Sequence, residues 1–148
     1  MTAITRILVP TDFSDSADAA FAYALKLGDQ VGAAVQLVNV FEDQDTLNVY
    51  SEMYVPMPAD TRAEIVADIR RQLTARVAAS GHSNVTTEVI TGSAARAIVD
   101  GATQQQCDLI VMGTHGRHGM AHLLMGSVAE RVVRTAACPV LVVPPAAR

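Results

Sequence analysis

The chain has 148 residues, 50% of them hydrophobic, 18% charged and 4% aromatic, with a formal net charge of −4. That length predicts one domain, residues 1–148, with a core that needs no staple, and so much apolar content at so little charge excludes a disordered chain. The acidic balance argues against a nucleic-acid footprint, and no apolar run approaches the roughly 18 residues that span a bilayer.

Periodicity alternates between strand and helix from end to end. Ile4 to Pro10 reads as a buried strand closed by proline, and Ser14 to Leu27 as a helix with an apolar stripe at Ala17, Ala20, Phe21, Ala24 and Leu27. Gly28 is its predicted stop. Ala33 to Val40 is a second strand, followed by an aromatic and polar loop from Phe41 to Pro58. Thr61 and Glu64 have the spacing of a capping box ahead of a long helix that runs to about Ala79 and is terminated by Gly81. Val85 to Ile90 is a third strand, polar enough for a sheet edge. Ser93 to Gln106 is a helix, Cys107 to Met112 a strand, Ser127 to Ala136 a helix and Pro139 to Val143 a fifth strand. Strands separated by single helices must pair in parallel, because a parallel crossover needs about a dozen residues or more. Right-handed crossovers then produce an α/β fold: a doubly wound five-stranded parallel sheet with helices on both faces.

Ligands of such sheets bind beyond the carboxyl ends of the strands, where strand order reverses. Glycines gather in one of these loops, at Gly113, Gly116, Gly119 and Gly126, where backbone N–H groups can approach an anion unobstructed by a Cβ. Gly126 and Ser127 open a helix, whose N-terminus attracts negative charge. Ten of the eleven basic residues are Arg, and the one lysine, Lys26, lies inside a helical pattern. That excludes a Walker A loop, which needs a lysine beside its glycines. A phosphate would depend on backbone amides, the Ser127 hydroxyl and Arg117. Capping offers Ser127 a second reading, since Ser127 and Glu130 also have capping-box spacing. Glycines in a loop also mark plain turns, and both readings stay open on the residues alone.

The pattern Gly113-x2-Gly116-x9-Gly126-Ser127 resembles the nucleotide signature of the ATP-binding branch of the universal stress protein family. Ile7-Leu8-Val9-Pro10-Thr11-Asp12-Phe13-Ser14 is similar to that family's first strand and turn, Cys107 to Gly116 to its fourth strand, Gly126 to Val133 to its fourth helix start, and Cys138 to Val143 to its closing strand. The resemblance implies strand order 3-2-1-4-5 and ATP, with Mg²⁺ as a possible companion ion, as the ligand. Pro10, Thr11, Val40 and Met112 would line the adenine pocket. Asp12 would lie near the ribose or phosphates, and Gly113, His115, Gly116, Gly126, Ser127 and Val128 would hold ribose and phosphates. It further implies a homodimer paired through Pro139 to Val143, and a regulatory, nucleotide-dependent stress response.

Other constellations have plainer readings. Asp15 and Asp18 complement a helix dipole. His115, His118 and His122 lack the Cys or carboxylate spacing of a metal site. Ser93 reads as an N-cap, and Cys107 as a small buried hydrophobe. Phe41, Tyr50, Met53, Tyr54 and Met57 read either as a lid over the nucleotide or as packing against the long helix. The rival function is a slow ATPase or phosphotransfer enzyme on the same site, for which the chain lacks the usual phosphoryl-transfer lysine. A receiver domain would need an acceptor Asp after the third strand and a Lys after the fifth, where Thr91-Gly92 and Pro144-Pro145 stand. A flavin module is supported by fold analogy alone. The N-terminus has no charged start followed by an apolar stretch, so a cytoplasmic location is expected.

Overall fold

The structure, a computed structural model, describes residues 3–42, 52–53, 55–115 and 125–145. Strands β1 (Arg6–Pro10), β2 (Ala34–Phe41), β3 (Val85–Thr91), β4 (Leu109–Gly113) and β5 (Val140–Val143) alternate with helices α1 (Asp15–Val31), α2 (Ala59–Ser80), α3 (Ala94–Gln104) and α4 (Ser127–Thr135). The strands form one sheet in the order β3-β2-β1-β4-β5, and all four pairings are parallel. This is the architecture and strand order expected above. Among the described residues no helix is long and apolar enough to cross a membrane.

Successive strand residues point to opposite faces, and each face has its own core. Ile7, Val9, Leu37, Leu109 and Val111 pack against Ala20, Phe21 and Leu25 of α1 and Leu73 of α2. Leu8, Val38, Ile110 and Met112 pack against Ala95 and Ile98 of α3 and Ala129 and Val132 of α4. The central strands therefore bury both faces, which is why β1 and β4 read as continuous apolar runs and not as alternating ones. β3 lies at an edge and keeps Thr86 and Thr87 exposed. β5, at the other edge, is wholly apolar and half-buried along its length.

Several boundaries differ from the sequence expectation. α1 runs through Gly28 to Val31 and stops at Gly32, whose φ of +75° is left-handed. The N–H groups of Gly32 and Ala33 both donate to the Gly28 carbonyl, at 2.8 and 3.0 Å. Gly28 is therefore a buried helical residue, and the chain turns four residues later, where a residue without Cβ faces solvent. Thr61 does not cap α2: the helix starts two residues earlier, with Pro58 at the N-cap and no side-chain cap. Residues 107 and 108 precede β4, because the Cys107 N–H still donates to the carbonyl of Ala102 as α3 unwinds.

Two polar clasps close the end of the sheet opposite the strands' carboxyl termini. The Thr5 N–H, the Thr5 hydroxyl and the Arg6 N–H all donate to Asp108 Oδ2, at 2.8, 2.8 and 3.0 Å. The Thr5 bonds, more than those from Arg6, hold the Asp108 carboxyl below its ordinary pKa. Below α1 and α2, His82 Nε2 lies 2.9 Å from Asp29 Oδ2 and His82 Nδ1 lies 2.9 Å from the Ser80 carbonyl oxygen. Only the doubly protonated ring donates to both, and the Asp29 carboxylate, followed by the Ser80 carbonyl, raises the His82 pKa.

These clasps have opposite pH signatures. Asp108 has a depressed folded pKa, so its contribution is complete above the unfolded value of about 3.9 and disappears as pH falls through the folded value. His82 has a raised folded pKa, so its contribution is complete below about pH 6.5 and disappears as pH rises through the folded value. Thermal melts of Asp108→Asn should trail wild type at neutral pH and converge with it in acid. Those of His82→Gln should trail in mild acid and converge in base. A constant gap across either range contradicts the corresponding clasp.

Candidate functional site

The strand order reverses between β1 and β4. α1 leaves β1 toward one face of the sheet and α4 returns from the segment after β4 on the other. The two connections diverge, and a crevice opens at the carboxyl ends of these strands.

One wall is the turn 11–14. The Thr11 N–H continues the ladder to the Val38 carbonyl at 2.8 Å. The Phe13 N–H donates to Thr11 Oγ1 and the Ser14 N–H to Asp12 Oδ1, both at 3.0 Å. Ser14 is the N-cap of α1, its hydroxyl accepting from the Ala17 N–H at 3.2 Å. Phe13 between them has a φ of +66°.

The other wall is the end of β4 and the start of α4. Gly113 packs so closely on α1 that an added Cβ would lie 2.9 Å from the Ser16 carbonyl oxygen and closer still to the Ser16 hydroxyl. Its small size thus has a packing reason: it lets α1 start directly beside β4. The Gly126 N–H donates to the Thr114 carbonyl, tying the start of α4 to the end of β4. Thr114 Oγ1 lies 2.9 Å from His115 Nδ1.

The N-terminus of α4 corrects the capping-box alternative. The N-cap is Gly126, with φ −72° and ψ 162°, which has no side chain of its own to cap the helix. Ser127 is already the first helical residue, and Glu130 pairs with Arg134 at 2.8 Å. The helical ladder starts with the Glu130 N–H on the Gly126 carbonyl, so the amides of Ser127, Val128 and Ala129 stand ahead of it. α3 differs: Ser93 holds the N-cap position without a side-chain bond, and Glu42 Oε1 accepts the Ala94 N–H at 3.1 Å instead. A cleft of about 490 Å³ opens between these two helix starts, lined by Glu42, Ser93, Ser127, Val128 and Arg131 among others. A slightly larger hollow, about 520 Å³, follows the outer face of α2 at Ala59, Ala63 and Val66 and touches none of the strand-end residues.

The structure thus brings Thr11, Asp12, Gly113, Gly126, Ser127 and Val128 to one end of the sheet. Pro10 closes β1, and Val40 and Met112 belong to the same apolar cluster as Met125 on the α3 and α4 face. Ser127 and Val128 are exposed, while Met112 is buried. Gly116, Arg117, Gly119, His118 and His122 lie outside the described residues, as do Tyr50 and Tyr54. Of the other aromatic-loop positions, Phe41 and Met57 are half-buried and Met53 is 91% exposed. Among the described residues no three His, Cys, Asp or Glu side chains gather as a metal site. Cys107 is buried as expected, and burial pushes its thiol up to about 11, which leaves it protonated and unreactive at neutral pH. Asn39, Glu42, Arg76 and Thr114 carry no sequence signal of their own. Asn39, Glu42 and Arg76 reach the site's walls across 28 to 63 positions of sequence.

The model of the universal stress protein family matches residues 3–144. The chain belongs to that family. It is 32% identical over 145 residues to universal stress protein MJ0531 of Methanocaldococcus jannaschii, covering 93% of this chain and 81% of the relative. Among solved structures, UspA from Lactobacillus plantarum superposes with a TM-score of 0.74 at 31% identity, covering 97% of this chain and 99% of that one. A universal stress protein in complex with cAMP superposes with a TM-score of 0.72 at 25% identity, covering 98% and 100%.

The tight contact at Gly113 predicts how this universal stress protein responds to one added methyl group. Beyond the Ser16 hydroxyl, which can rotate, the atoms facing it are the backbone carbonyl oxygen and carbon of Ser16, which cannot swing away as a side-chain tip can. Gly113→Ala should therefore cost about 1–3 kcal/mol of stability by overpacking, measured by urea denaturation. Wild-type stability in that variant would show that α1 and β4 are not in this contact.

Proposed function

We infer that this universal stress protein binds an adenine nucleotide, ATP, between the turn after β1 and the start of α4, and that the bound nucleotide serves regulation. The observation that carries this reading is the contrast between the two helix starts at the cleft. A carboxylate, Glu42, already occupies the first amide of α3, whereas the N-cap of α4 is a glycine, which has no side chain to place on its first amides. A helix start without an acidic or hydroxyl cap favours an anion brought from outside. The solved relative in complex with cAMP supports the adenine nucleotide class.

In this reading Pro10, Thr11, Val40 and Met112 hold the base. Asp12 contacts the ribose or a nucleotide-bound Mg²⁺, and Gly113, His115, Gly116, Gly126, Ser127 and Val128 hold ribose and phosphates. Backbone amides of this kind bind ground-state phosphates, and uniform binding of that sort does not accelerate chemistry. A regulatory role fits them better than turnover.

Gly126→Val isolates the phosphate contact. The Gly126 backbone has an extended geometry open to any residue, so the substitution adds bulk at the helix start without backbone strain. Calorimetric titration should show ATP binding to wild type and at least a tenfold weaker affinity in the folded variant, the loss of about one phosphate-holding contact. Titration with ADP, AMP and cAMP in parallel ranks the phosphate number. Equal ATP affinity in the two proteins would sink the phosphate assignment.

The second part of the reading is a homodimer through β5. The Ile110 N–H donates to the Pro139 carbonyl, and Ile110 stands opposite Val140. Parallel alternation then directs residues 139, 141 and 143 toward β4 and turns the backbone groups of Val140 and Val142 outward. An apolar edge with outward amides is a template for another strand. Sedimentation at micromolar concentration should give twice the 15.6 kDa chain mass. Val142→Pro removes one outward N–H and no bond to β4, so it should give a folded monomer. A monomeric wild type, or a dimer that survives this substitution, excludes the β5 interface.

A further inference from the structure

Asp12 stands in a turn under backbone strain. Phe13, its neighbour, has a φ of +66°, a conformation that costs a bulky residue energy and persists only where its surroundings impose it. The braces within the turn are the Phe13 N–H on Thr11 Oγ1 and the Ser14 N–H on Asp12 Oδ1. Both acceptors belong to residues assigned above to the nucleotide. A ligand that draws either oxygen away removes a brace at the moment of binding.

Two side chains from elsewhere hold the turn independently of those oxygens. Asn39 of β2, which is buried, donates through Nδ2 to the Thr11 carbonyl at 2.9 Å. Arg76 of α2 donates through Nη2 to the Phe13 carbonyl at 3.2 Å. Its guanidinium lies over the Phe13 ring, 4.7 Å from the centroid, and its Nε donates to Asp18 Oδ1 at 2.9 Å. The carbonyls immediately before and after Asp12 are thus fixed by two elements outside the turn. Arg76 grips Phe13 by carbonyl and ring together, with Asp18 locking the guanidinium in plane. A planar, forked cation can make all three contacts at once, and a lysine cannot.

We propose that Arg76 is a positioning residue for the nucleotide: it holds Phe13 in its left-handed conformation and so presents Thr11 and Asp12 to the ligand in a geometry already fit for binding. This rests on the reading that the turn contacts the nucleotide. Apparent affinity scales with the fraction of molecules in the competent conformation. If the unbraced turn keeps its left-handed form about a tenth of the time, affinity falls about tenfold.

The test uses the full chain with Arg76→Gln and Arg76→Lys, and Arg71→Gln as control. Arg71 lies on α2 in an exposed pair with Asp68, at 3.3 Å. Two quantities are read: ATP affinity by calorimetry with Mg²⁺ present, and hydrogen exchange at the Phe13 and Ser14 amides by NMR. The expected result is an affinity loss of roughly tenfold in Arg76→Gln, a smaller loss in Arg76→Lys, faster exchange confined to the turn, and no change in Arg71→Gln. If Arg76→Gln fails to fold, Asp18→Asn, which releases the guanidinium, should give the same pair of changes in weaker form. Unchanged affinity and unchanged turn exchange in a folded Arg76 variant overturn the proposal, and so does an affinity loss in Arg76→Gln without faster turn exchange. A wild type that binds no ATP overturns the nucleotide reading and the presenting role together, while the exchange rates still report whether Arg76 holds the turn.

Discussion

The parallel pairing of β1 with β4 is the constraint on which the rest of this structure depends. It joins the two halves of the sheet at the point where strand order reverses, and it is fixed at both ends. At one end Asp108 collects three donors from Thr5 and Arg6. At the other, the missing Cβ of Gly113 lets α1 start in contact with β4. Between them Ile7, Leu8, Val9, Ile110 and Val111 are completely buried, so neither strand can slip by one residue without exchanging its two apolar faces. Once this pairing stands, the connections after β1 and β4 must leave toward opposite faces, and the crevice between them follows from topology.

Polar groups at this crevice are satisfied from a distance. The turn after β1 is braced by Asn39 and Arg76, the start of α3 by Glu42, and the start of α4 by the Thr114 carbonyl. The first three belong to β2, to α2 and to the residue that follows β2. A site assembled this way leaves the short loops free of the need to hold their own shape, which suits loops whose side chains are to engage a ligand. The superposed relatives share the fold that carries these loops.

Much of the placement of the candidate residues was legible because their signals are local. Gly126 and Ser127 announce a helix start, and Asp12 follows a strand that ends in proline. What the residues misstated was equally local. Ser127 and Glu130 have capping-box spacing, yet the helix starts one residue earlier than that motif requires, with Gly126 at the N-cap and its amide on the Thr114 carbonyl. Gly28 has the look of a helix stop, yet tertiary packing buries it within α1. Thr61 and Glu64 imitate a cap inside a helix that had already begun at Ala59. In each case a short-range motif was one of two acceptable local solutions, and the fold takes the other.

The sequence by itself determined the element order, the parallel sheet and the family. Those depend on periodicities of two and 3.6, on crossover length and on a spaced glycine pattern, all written along the chain. Only the tertiary structure decided which polar groups meet. Arg76 on Phe13, Asn39 on Thr11, Glu42 on Ala94 and Asp108 on Thr5 join residues 28 to 103 positions apart. An Arg or Asn on an amphipathic element looks the same in sequence whether it faces solvent or a carbonyl. The choice is made only when packing removes water from one side and leaves a single acceptor within reach.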